Sequence, residues 1–309
     1  MKVHVDLKDF HAVKPVVTIG TFDGIHLGHQ KVISRLKEIA ASLGGETVLF
    51  TFSPHPRIVL SPDEHNLRLL NTPDEKEGLL SEAGIGHLIT YPFTKEFSRL
   101  TYSEFVESVL VRQMRTFCLV IGYDHKFGKN REGGYEFLNR CADKYGFRLE
   151  KLDALMEGGQ HVSSSRIRDA LQRGEVFRAN QMLGYEYTLR GMVVMGQKLG
   201  RSMGFPTANI EASDKNKLIP AYGVYAVRVE VNGKLLKGMM NIGTRPTFNN
   251  NADHRSIEVF IFGFSEDIYG LNVTLRFVDK IRDELKFPDV SALVEQLKSD
   301  RITAEKMLQ

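Results

Sequence analysis

The hydrophobic pattern changes its period near residue 184, and this change constrains the fold more than any other feature. Before it, short apolar runs rich in β-branched residues alternate with amphipathic stretches of helical period. This alternation predicts a parallel sheet with helices on both faces. After it, apolar runs follow one another without helices, which predicts a small antiparallel barrel. The 309 residues are enough for two domains of roughly 150 residues each.

Each part has its own predicted elements. The strands of the first part are Val16–Ile19, Thr47–Phe52, Leu88–Tyr91, Leu119–Ile121 and Arg148–Leu152, and its helices are Gly28–Leu43, Pro73–Ala83, Tyr102–Met114 and Gly134–Tyr145. The strands of the second part are Tyr187–Met195, Val224–Val231, Lys234–Ile242, Ile257–Phe264 and Val273–Val278, followed by a helix at Val290–Leu308. Asn232–Gly233 is typical of a tight hairpin turn. The predicted domains are residues 1–183 and 184–309.

Composition argues against several classes of protein. The two cysteines, Cys118 and Cys141, cannot form a disulfide framework, and no CxxC pair exists to hold zinc. No apolar run approaches the ~20 residues of a membrane helix, and residues 1–13 lack the apolar core of a signal peptide. A cytoplasmic protein without a membrane partner is therefore expected. The net charge of +3 is spread along the chain, which suits small anions and makes nucleic acid an unexpected partner.

The string GTFDGIHLGH, at residues 20–29, follows the first predicted strand. Its glycines permit a tight turn. Gly28 and His29 fall near the start of the next helix, where free N–H groups and the helix dipole favour a phosphate. The imidazoles of His26 and His29 can donate to phosphate oxygens. There are two alternatives to this phosphate role. The histidines could be structural, or they could bind a metal as a pair, although no third ligand lies at helical spacing.

A second phosphate candidate is the string SSSRIR, at residues 163–168, which opens another predicted helix. Hydroxyl groups at a helix start commonly cap it, so capping is the alternative role of Ser164. Arg166 stands beside these hydroxyls and favours polyphosphate binding. One serine can cap the helix and also contact a phosphate.

The GTFDGIHLGH string resembles the HxGH motif of the nucleotidylyltransferase superfamily and, in its wider form, the N-terminal module of bacterial bifunctional riboflavin kinase/FAD synthetases. SSSRIR resembles that family's SSTRIR, with Ser165 in place of threonine. Residues 51–56 and 122–128 resemble its TFxPHP and GxDFxFG segments, with departures at Ser53 and His125 that affect the flavin pocket. The resemblance implies phosphate contacts from Gly20, Phe22, Asp23, Gly28, Ser164, Ser165 and Arg166, and flavin contacts from Asp124 and Phe127, for which a strand end and turn is the alternative.

The reaction that this resemblance implies is adenylyl transfer from ATP to FMN, with release of pyrophosphate. The attacking phosphate of FMN is already an anion, so the reaction needs no general base. The protein must position two anions and neutralise charge on the transferring group. A site rich in histidine, serine and arginine is suited to that task.

A glycine-rich, basic segment, GQKLGRSMGFPTAN, occupies residues 196–209. It is not a Walker A loop, because the GK[ST] ending is missing, and no GxGxxG string occurs in the chain. Thr207 and Asn209 are two residues apart, so on an extended segment their oxygens point the same way. Hard oxygen ligands of this kind suit Mg²⁺ bridging to ATP phosphates. A polar β-turn is the alternative.

This segment closely resembles the riboflavin kinase signature GxxxGRxxGFPTAN, and the similarity continues through residues 220–225, 241–248 and 269–287. The resemblance implies that Glu258 is the general base for the neutral 5′-hydroxyl of riboflavin. A lone strand glutamate otherwise faces solvent. Phe260 and Gly263 stand where the family often has histidine and aspartate. The resemblance further implies ATP contacts from Gly196, Lys198, Gly200, Arg201, Gly204 and Pro206, Mg²⁺ ligation by Thr207 and Asn209, and flavin binding by Arg282, which alternatively pairs with Glu284.

The two resemblances together cover nearly the whole chain. They imply a Rossmann-like α/β nucleotidylyltransferase module and a C-terminal antiparallel β-barrel kinase module, which phosphorylate riboflavin to FMN and adenylylate FMN to FAD with ATP and Mg²⁺. One alternative is a chain with one inactive module, but Thr207, Asn209 and Glu258 are all present. The other is a flavin- or RNA-binding regulator on the same scaffold, which would release neither ADP nor pyrophosphate.

Overall fold

The computed structural model describes residues 1–60, 67–123, 134–153, 155–157, 160–196, 200, 203–244 and 255–309. The chain divides into two compact units, Met1–Ser163 and Ser164–Gln309. The predicted domain limits, 1–183 and 184–309, stay a prediction. Within the described ranges, no helix has the length and apolar character needed to cross a membrane.

The first unit is built on a six-stranded parallel sheet, in the order β1-β4-β3-β2-β5-β6. Its strands are β1 (Lys2–His4), β2 (Val16–Ile19), β3 (Thr47–Ser53), β4 (His87–Pro92), β5 (Cys118–Ile121) and β6 (Arg148–Lys151). Its helices are α1 (Leu27–Leu43), α2 (Pro56–Leu60), α3 (Pro73–Glu82), α4 (Tyr102–Phe105), which continues as π-helix over Val106–Gln113, and α5 (Tyr135–Tyr145), with a 3₁₀ turn at Phe97–Arg99. Two further strands, β7 (Met156–Glu157) and β8 (Gln160–His161), pair antiparallel.

Alternating side chains of the parallel strands enter two hydrophobic clusters. Val17 of β2 and Phe50 of β3 belong to one cluster, together with apolar residues of α4, the π-helix and α5. Val16 and Leu49, their neighbours in sequence, belong to the other cluster, together with α1. Because successive side chains of a strand point to opposite faces, both faces of the sheet are buried. The predicted Rossmann-like α/β class is confirmed.

The second unit contains a closed antiparallel barrel with the strand order β10-β13-β12-β11-β14-β9. Its strands are β9 (Thr188–Val194), β10 (Ala208–Ala212), β11 (Gly223–Val231), β12 (Lys234–Thr244), β13 (Arg255–Ile261) and β14 (Asn272–Arg282), and its helices are α6 (Ser164–Arg173), α7 (Val176–Leu183) and α8 (Val290–Met307). At the turn between β11 and β12, φ is 51° at Asn232 and 72° at Gly233. These angles fit the tight hairpin that the Asn-Gly pair predicted.

The C-terminal helix α8 covers part of the barrel. Ala304 and Leu308 are fully buried against Phe205, Met239 and Phe260. The helix begins at a cap, since the Asp289 side chain accepts a hydrogen bond from the Ala292 N–H at 2.9 Å. The predicted antiparallel barrel with its closing helix is therefore confirmed.

Candidate functional site

The first candidate site is the turn between β2 and α1, at the carboxyl end of a central strand. The sheet order places β2 between β3 and β5. The turn has positive φ at Phe22 (46°), Gly24 (91°) and Ile25 (37°). A non-glycine residue is uncommon in this conformation, so two such residues in one turn indicate a backbone held by its surroundings. Ligands of open parallel sheets bind at this edge.

Two histidine rings stack at the start of α1. The ring centroids of His26 and His29 are 3.7 Å apart, with an angle of 15° between the planes. Nδ1 of His26 accepts a hydrogen bond from the His29 N–H at 3.3 Å and so caps the helix. Since Nδ1 is an acceptor, a neutral His26 carries its proton on Nε2. Phe22 also packs against His29, with the ring centroids 4.8 Å apart and the planes tilted by 45°.

The packing of these rings explains two glycines of the motif. A Cβ at Gly20 would lie 3.1 Å from the Phe22 ring, and a Cβ at Gly28 would lie 3.1 Å from the His26 ring. Neither glycine has a positive φ. Both are therefore favoured by ring packing, whereas Gly24, at φ 91°, is favoured by the turn itself.

His29 has basic groups around it. Its Nδ1 atom is inaccessible to solvent and has no hydrogen-bond partner among the described residues. Burial, and after it the charges of His26 and Lys76, hold the pKa of His29 well below its usual range. The surroundings of the ring therefore favour its neutral form. A phosphate beside it would offset the unfavourable surroundings of the charged form and raise this pKa.

Asp23 and Lys76 connect the turn to α3. The Asp23 carboxylate is buried and accepts hydrogen bonds from the N–H groups of Leu70 (3.0 Å) and Asn71 (3.2 Å), just before α3. Nζ of Lys76 donates to the Thr21 carbonyl at 2.7 Å. The sequence analysis missed Lys76, because a lysine on an amphipathic helix is most often solvated and no motif marks it.

The first serine of the SSSRIR string, Ser163, ends the first unit, and the remaining residues begin the second. Ser164 is the first residue of α6, Ser165 is exposed and Arg166 is half-buried. Asp124 and Phe127, the predicted flavin contacts, lie outside the described residues, as does His125. The ligand roles of these residues stay predictions.

The second candidate site lies on the barrel, where β10, β13 and β12 run side by side. Glu258 of β13 is paired in register with Asn209 of β10 on one side and with Asn241 of β12 on the other. Residues directly opposite one another share a face of the sheet. The Thr207 hydroxyl donates to Oε2 of Glu258 at 3.2 Å. The structure therefore brings Thr207, Asn209 and Glu258 together.

The glycine-rich segment approaches these residues closely. A Cβ at Gly196 would collide with the Asn209 side chain, and a Cβ at Gly200 would collide with the Phe205 carbonyl. Gly204 has a φ of 79°, which favours glycine, and Pro206 is exposed. Lys198 and Arg201 lie outside the described residues. The glycines thus let the backbone reach the oxygen-bearing side chains.

Phe260 and Gly263, the two departures from the riboflavin kinase pattern, have structural explanations. Phe260 is buried, and its ring centroid lies 5.2 Å from that of Phe205 in the segment preceding Thr207. This contact holds the GFPT segment against β13 without a polar group. Gly263 has a φ of 63°, in the left-handed region where glycine is favoured over aspartate.

Arg282 pairs with a carboxylate that the sequence analysis did not name. Its Nε and Nη2 atoms donate to Asp300 of α8 at 3.0 and 2.8 Å. Asp300 is 1% exposed, and Gln296 donates to it at 2.8 Å. The contact ties β14 to α8, whereas the predicted alternative was a pair with Glu284. The flavin role of Arg282 stays a prediction.

Comparison with known proteins gives agreeing matches over both units. The chain matches the sequence model of FAD synthetase over residues 10–166 and that of riboflavin kinase over residues 183–308. It is 39% identical to the bifunctional riboflavin kinase/FMN adenylyltransferase of Listeria monocytogenes over 288 residues, which are 93% of this chain and 90% of the relative. The enzyme of the same name from Escherichia coli K12 is 34% identical over 292 residues, 94% of this chain and 92% of the relative.

A solved structure is similar over almost its full length. A protein from Streptococcus pneumoniae, described as a macrolide-efflux protein, superposes with a TM-score of 0.89. It is 33% identical, and the match covers 98% of each chain. The fold described above therefore occurs as a whole in another bacterial protein.

Proposed function

The chain belongs to the family of bifunctional riboflavin kinase/FMN adenylyltransferases, and from this premise we propose how its residues divide the two activities. It is an enzyme that phosphorylates riboflavin to FMN and then transfers an adenylyl group from ATP to FMN. We assign adenylyl transfer to residues 1–183 and riboflavin phosphorylation to residues 184–309. The observation that carries the residue-level proposal is the hydrogen bond from Thr207 to Glu258.

In the kinase site, Glu258 takes the proton of the 5′-hydroxyl of riboflavin as its oxygen attacks the γ-phosphate of ATP. A hydroxyl has one proton to donate and two lone pairs. Because Thr207 gives that proton to Glu258, its lone pairs face away from the carboxylate and are suited to a cation. The bond also fixes the orientation of the carboxylate, which a general base requires.

Thr207 and Asn209 are the proposed ligands of Mg²⁺. Both present hard oxygens, and the Gly196 backbone packs against the Asn209 side chain and restrains it. When bound, Mg²⁺ neutralises charge on the phosphates of ATP. Among the described residues, no three His, Cys, Asp or Glu side chains form a metal cluster. Two neutral protein oxygens would hold Mg²⁺ only together with oxygen atoms of ATP or water, as is usual for this ion.

In the adenylyltransferase site, His26 and His29 contact the phosphates of ATP. The family resemblance implies further phosphate contacts from Ser164, Ser165 and Arg166. The phosphate of FMN attacks the α-phosphate of ATP, and pyrophosphate leaves. The preorganised ring stack needs little rearrangement to meet the charge that develops in the transition state. Both reactions consume ATP. We place them in the cytoplasm, and fractionation of cells that express the chain tests this location.

The test of the proposal is turnover by the purified full chain. Riboflavin, ATP and Mg²⁺ are incubated with the protein, and FMN, FAD, ADP and pyrophosphate are resolved over time. FMN with ADP should form first, and FAD with pyrophosphate should follow. Bound flavin without release of ADP or pyrophosphate would show a binding protein and would contradict the proposal. Omission of Mg²⁺ should stop the formation of FMN.

A further inference from the structure

The adenylyltransferase site contains a third basic side chain next to its two histidines. Lys76 lies in the first turns of α3, and its Nζ atom donates to the Thr21 carbonyl at 2.7 Å. The next residue, Phe22, packs against His29 with ring centroids 4.8 Å apart and an angle of 45° between the planes. The hydrogen bond therefore holds Lys76 at the backbone of Thr21, the residue before Phe22, whose ring packs against His29.

The position of Lys76 is fixed by contacts on both sides of it. A capping box between Thr72 and Glu75 sets the start of α3. Just before it, the N–H groups of Leu70 and Asn71 bind the Asp23 carboxylate. The Thr21 carbonyl is also held from the sheet side, by the Thr51 hydroxyl at 3.2 Å. A side chain held in this way loses little conformational entropy when a ligand arrives.

The hydrogen bond from Lys76 goes to a neutral carbonyl, so this bond does not neutralise the ammonium charge. Burial lowers the pKa of Lys76, and the charge of Asp23 partly offsets this effect. The charge of Lys76 in turn lowers the pKa of His29. A proton on His29 would place a second positive charge beside Lys76 in a partly buried cluster, and this is unfavourable unless a further anion joins it.

We propose that Lys76 is a catalytic residue of adenylyl transfer, which contacts the phosphates of ATP together with His26 and His29 and neutralises charge on the departing pyrophosphate. This inference rests on the proposed function and adds a residue to that site. In the transferring step the FMN phosphate oxygen forms a bond to the α-phosphorus, and the bond from that phosphorus to the bridging oxygen breaks. The bridging oxygen keeps the electron pair, and Lys76 meets the charge that develops there.

Methionine at position 76 tests the role of the charge, since its side chain is apolar and unbranched like that of lysine. We expect Lys76→Met to lower kcat/KM for FAD formation from supplied FMN by about 10²-fold or more, the usual loss for one preorganised charge or donor. The sum of FMN and FAD made from riboflavin should stay unchanged. The matched control is Lys37→Met. Lys37 also donates to a backbone carbonyl, that of Ala83 at 2.9 Å, but it is exposed, and its variant should match the wild type.

The pH profile separates a charge role from a structural one. The groups that face Lys76 are the Asp23 carboxylate and the His29 ring, with His26 behind it. Because only the ammonium form is active, kcat/KM of the wild type should fall at alkaline pH, below the ordinary range for lysine. Lys76→Met should lose this limb. Lys76→Arg should move the limb upward and restore part of the rate.

Several outcomes would overturn the inference. FAD formation by Lys76→Met at the wild-type rate would do so, as would a wild-type profile without an alkaline limb. If the arginine variant is as slow as the methionine variant and its pH profile is unchanged, Lys76 only holds Thr21 in place. If Lys76→Met does not fold, the wild-type profile and Lys76→Arg decide the matter. A wild type that makes FMN but no FAD would instead refute the proposed adenylyltransferase function itself.

Discussion

Replacement of Glu258 by glutamine tests the division of the two chemistries most directly. A glutamine has the shape of glutamate, and its carbonyl oxygen can still accept the hydrogen bond from Thr207, which is 3.2 Å long in the native chain. Register pairing with Asn209 and Asn241 involves backbone groups and is unaffected. The substitution therefore keeps the shape of the side chain but removes its negative charge and, with it, the ability to take a proton.

The expected loss follows from that single change. General base catalysis contributes about 10²–10⁴-fold to a rate. At about 1.36 kcal/mol for each factor of ten, this is about 2.7–5.4 kcal/mol of transition-state stabilisation. We expect Glu258→Gln to lower FMN formation by at least about 10²-fold. FAD formation from supplied FMN should stay nearly intact, because its nucleophile is already an anion.

The assay resolves FMN and FAD over time, once with riboflavin as the substrate and once with FMN. The matched control is Glu230→Gln on β11. Glu230 is another strand glutamate of the barrel, and its carboxylate pairs with Arg276 at 2.9 Å on the surface. An exposed pair of this kind contributes at most about 1 kcal/mol to stability, so the control should keep both activities. Equal loss of both activities in Glu258→Gln, or unchanged FMN formation, would refute the assignment.

Three further predictions concern the other site, the barrel and the domain limits. His29→Ala should raise the activation free energy of adenylyl transfer by about 2.7–4 kcal/mol and leave riboflavin phosphorylation unchanged. A normal rate of FAD formation would show that His29 has only a structural role. Asp300→Ala should lower the free energy of unfolding of the barrel by about 3–5 kcal/mol in denaturant titrations, because it removes the carboxylate that pairs with Arg282, whereas a loss under about 1 kcal/mol would contradict a buried pair. Fragments 184–309 and 164–309 should both phosphorylate riboflavin, and the longer one should be more stable, since Asn180 of α7 donates to the Phe277 carbonyl at 2.9 Å. A soluble, cooperatively unfolding fragment that makes FMN only when residues 1–183 are added would refute separate domains.

The periodicity of the sequence was enough to predict both architectures, because strand and helix spacing is a local property. It was not enough for the short strands. β1 covers only Lys2–His4, and it is held by parallel pairing with β4 and by a 3.0 Å contact between ring nitrogens of His4 and His87. β10 carries the sequence ANIEA, which has weak strand preference, and it forms because β9 and β13 pair with it. Such strands depend on partners that are distant in the chain.

The glycines of the motifs show a similar limit. Sequence spacing predicted that Gly20 and Gly28 serve a turn and a phosphate. The structure adds that a side chain at either position would lie within 3.1 Å of the Phe22 or His26 ring. This constraint depends on ring positions that no local pattern contains. Lys76 was missed for the same reason, since its importance depends on Thr21, which is 55 residues away in sequence.

The nature of each nucleophile accounts for the different use of carboxylates at the two sites. A neutral hydroxyl needs a base, and Glu258 lies beside the proposed cation ligands Thr207 and Asn209. A phosphate nucleophile needs none, and a free carboxylate near it would repel both substrates. Asp23 stands within the phosphate motif, yet its charge is bound by the N–H groups that precede α3. Its carboxylate therefore holds in place the helix that carries Lys76, so that an acidic residue of the motif serves to position a basic one.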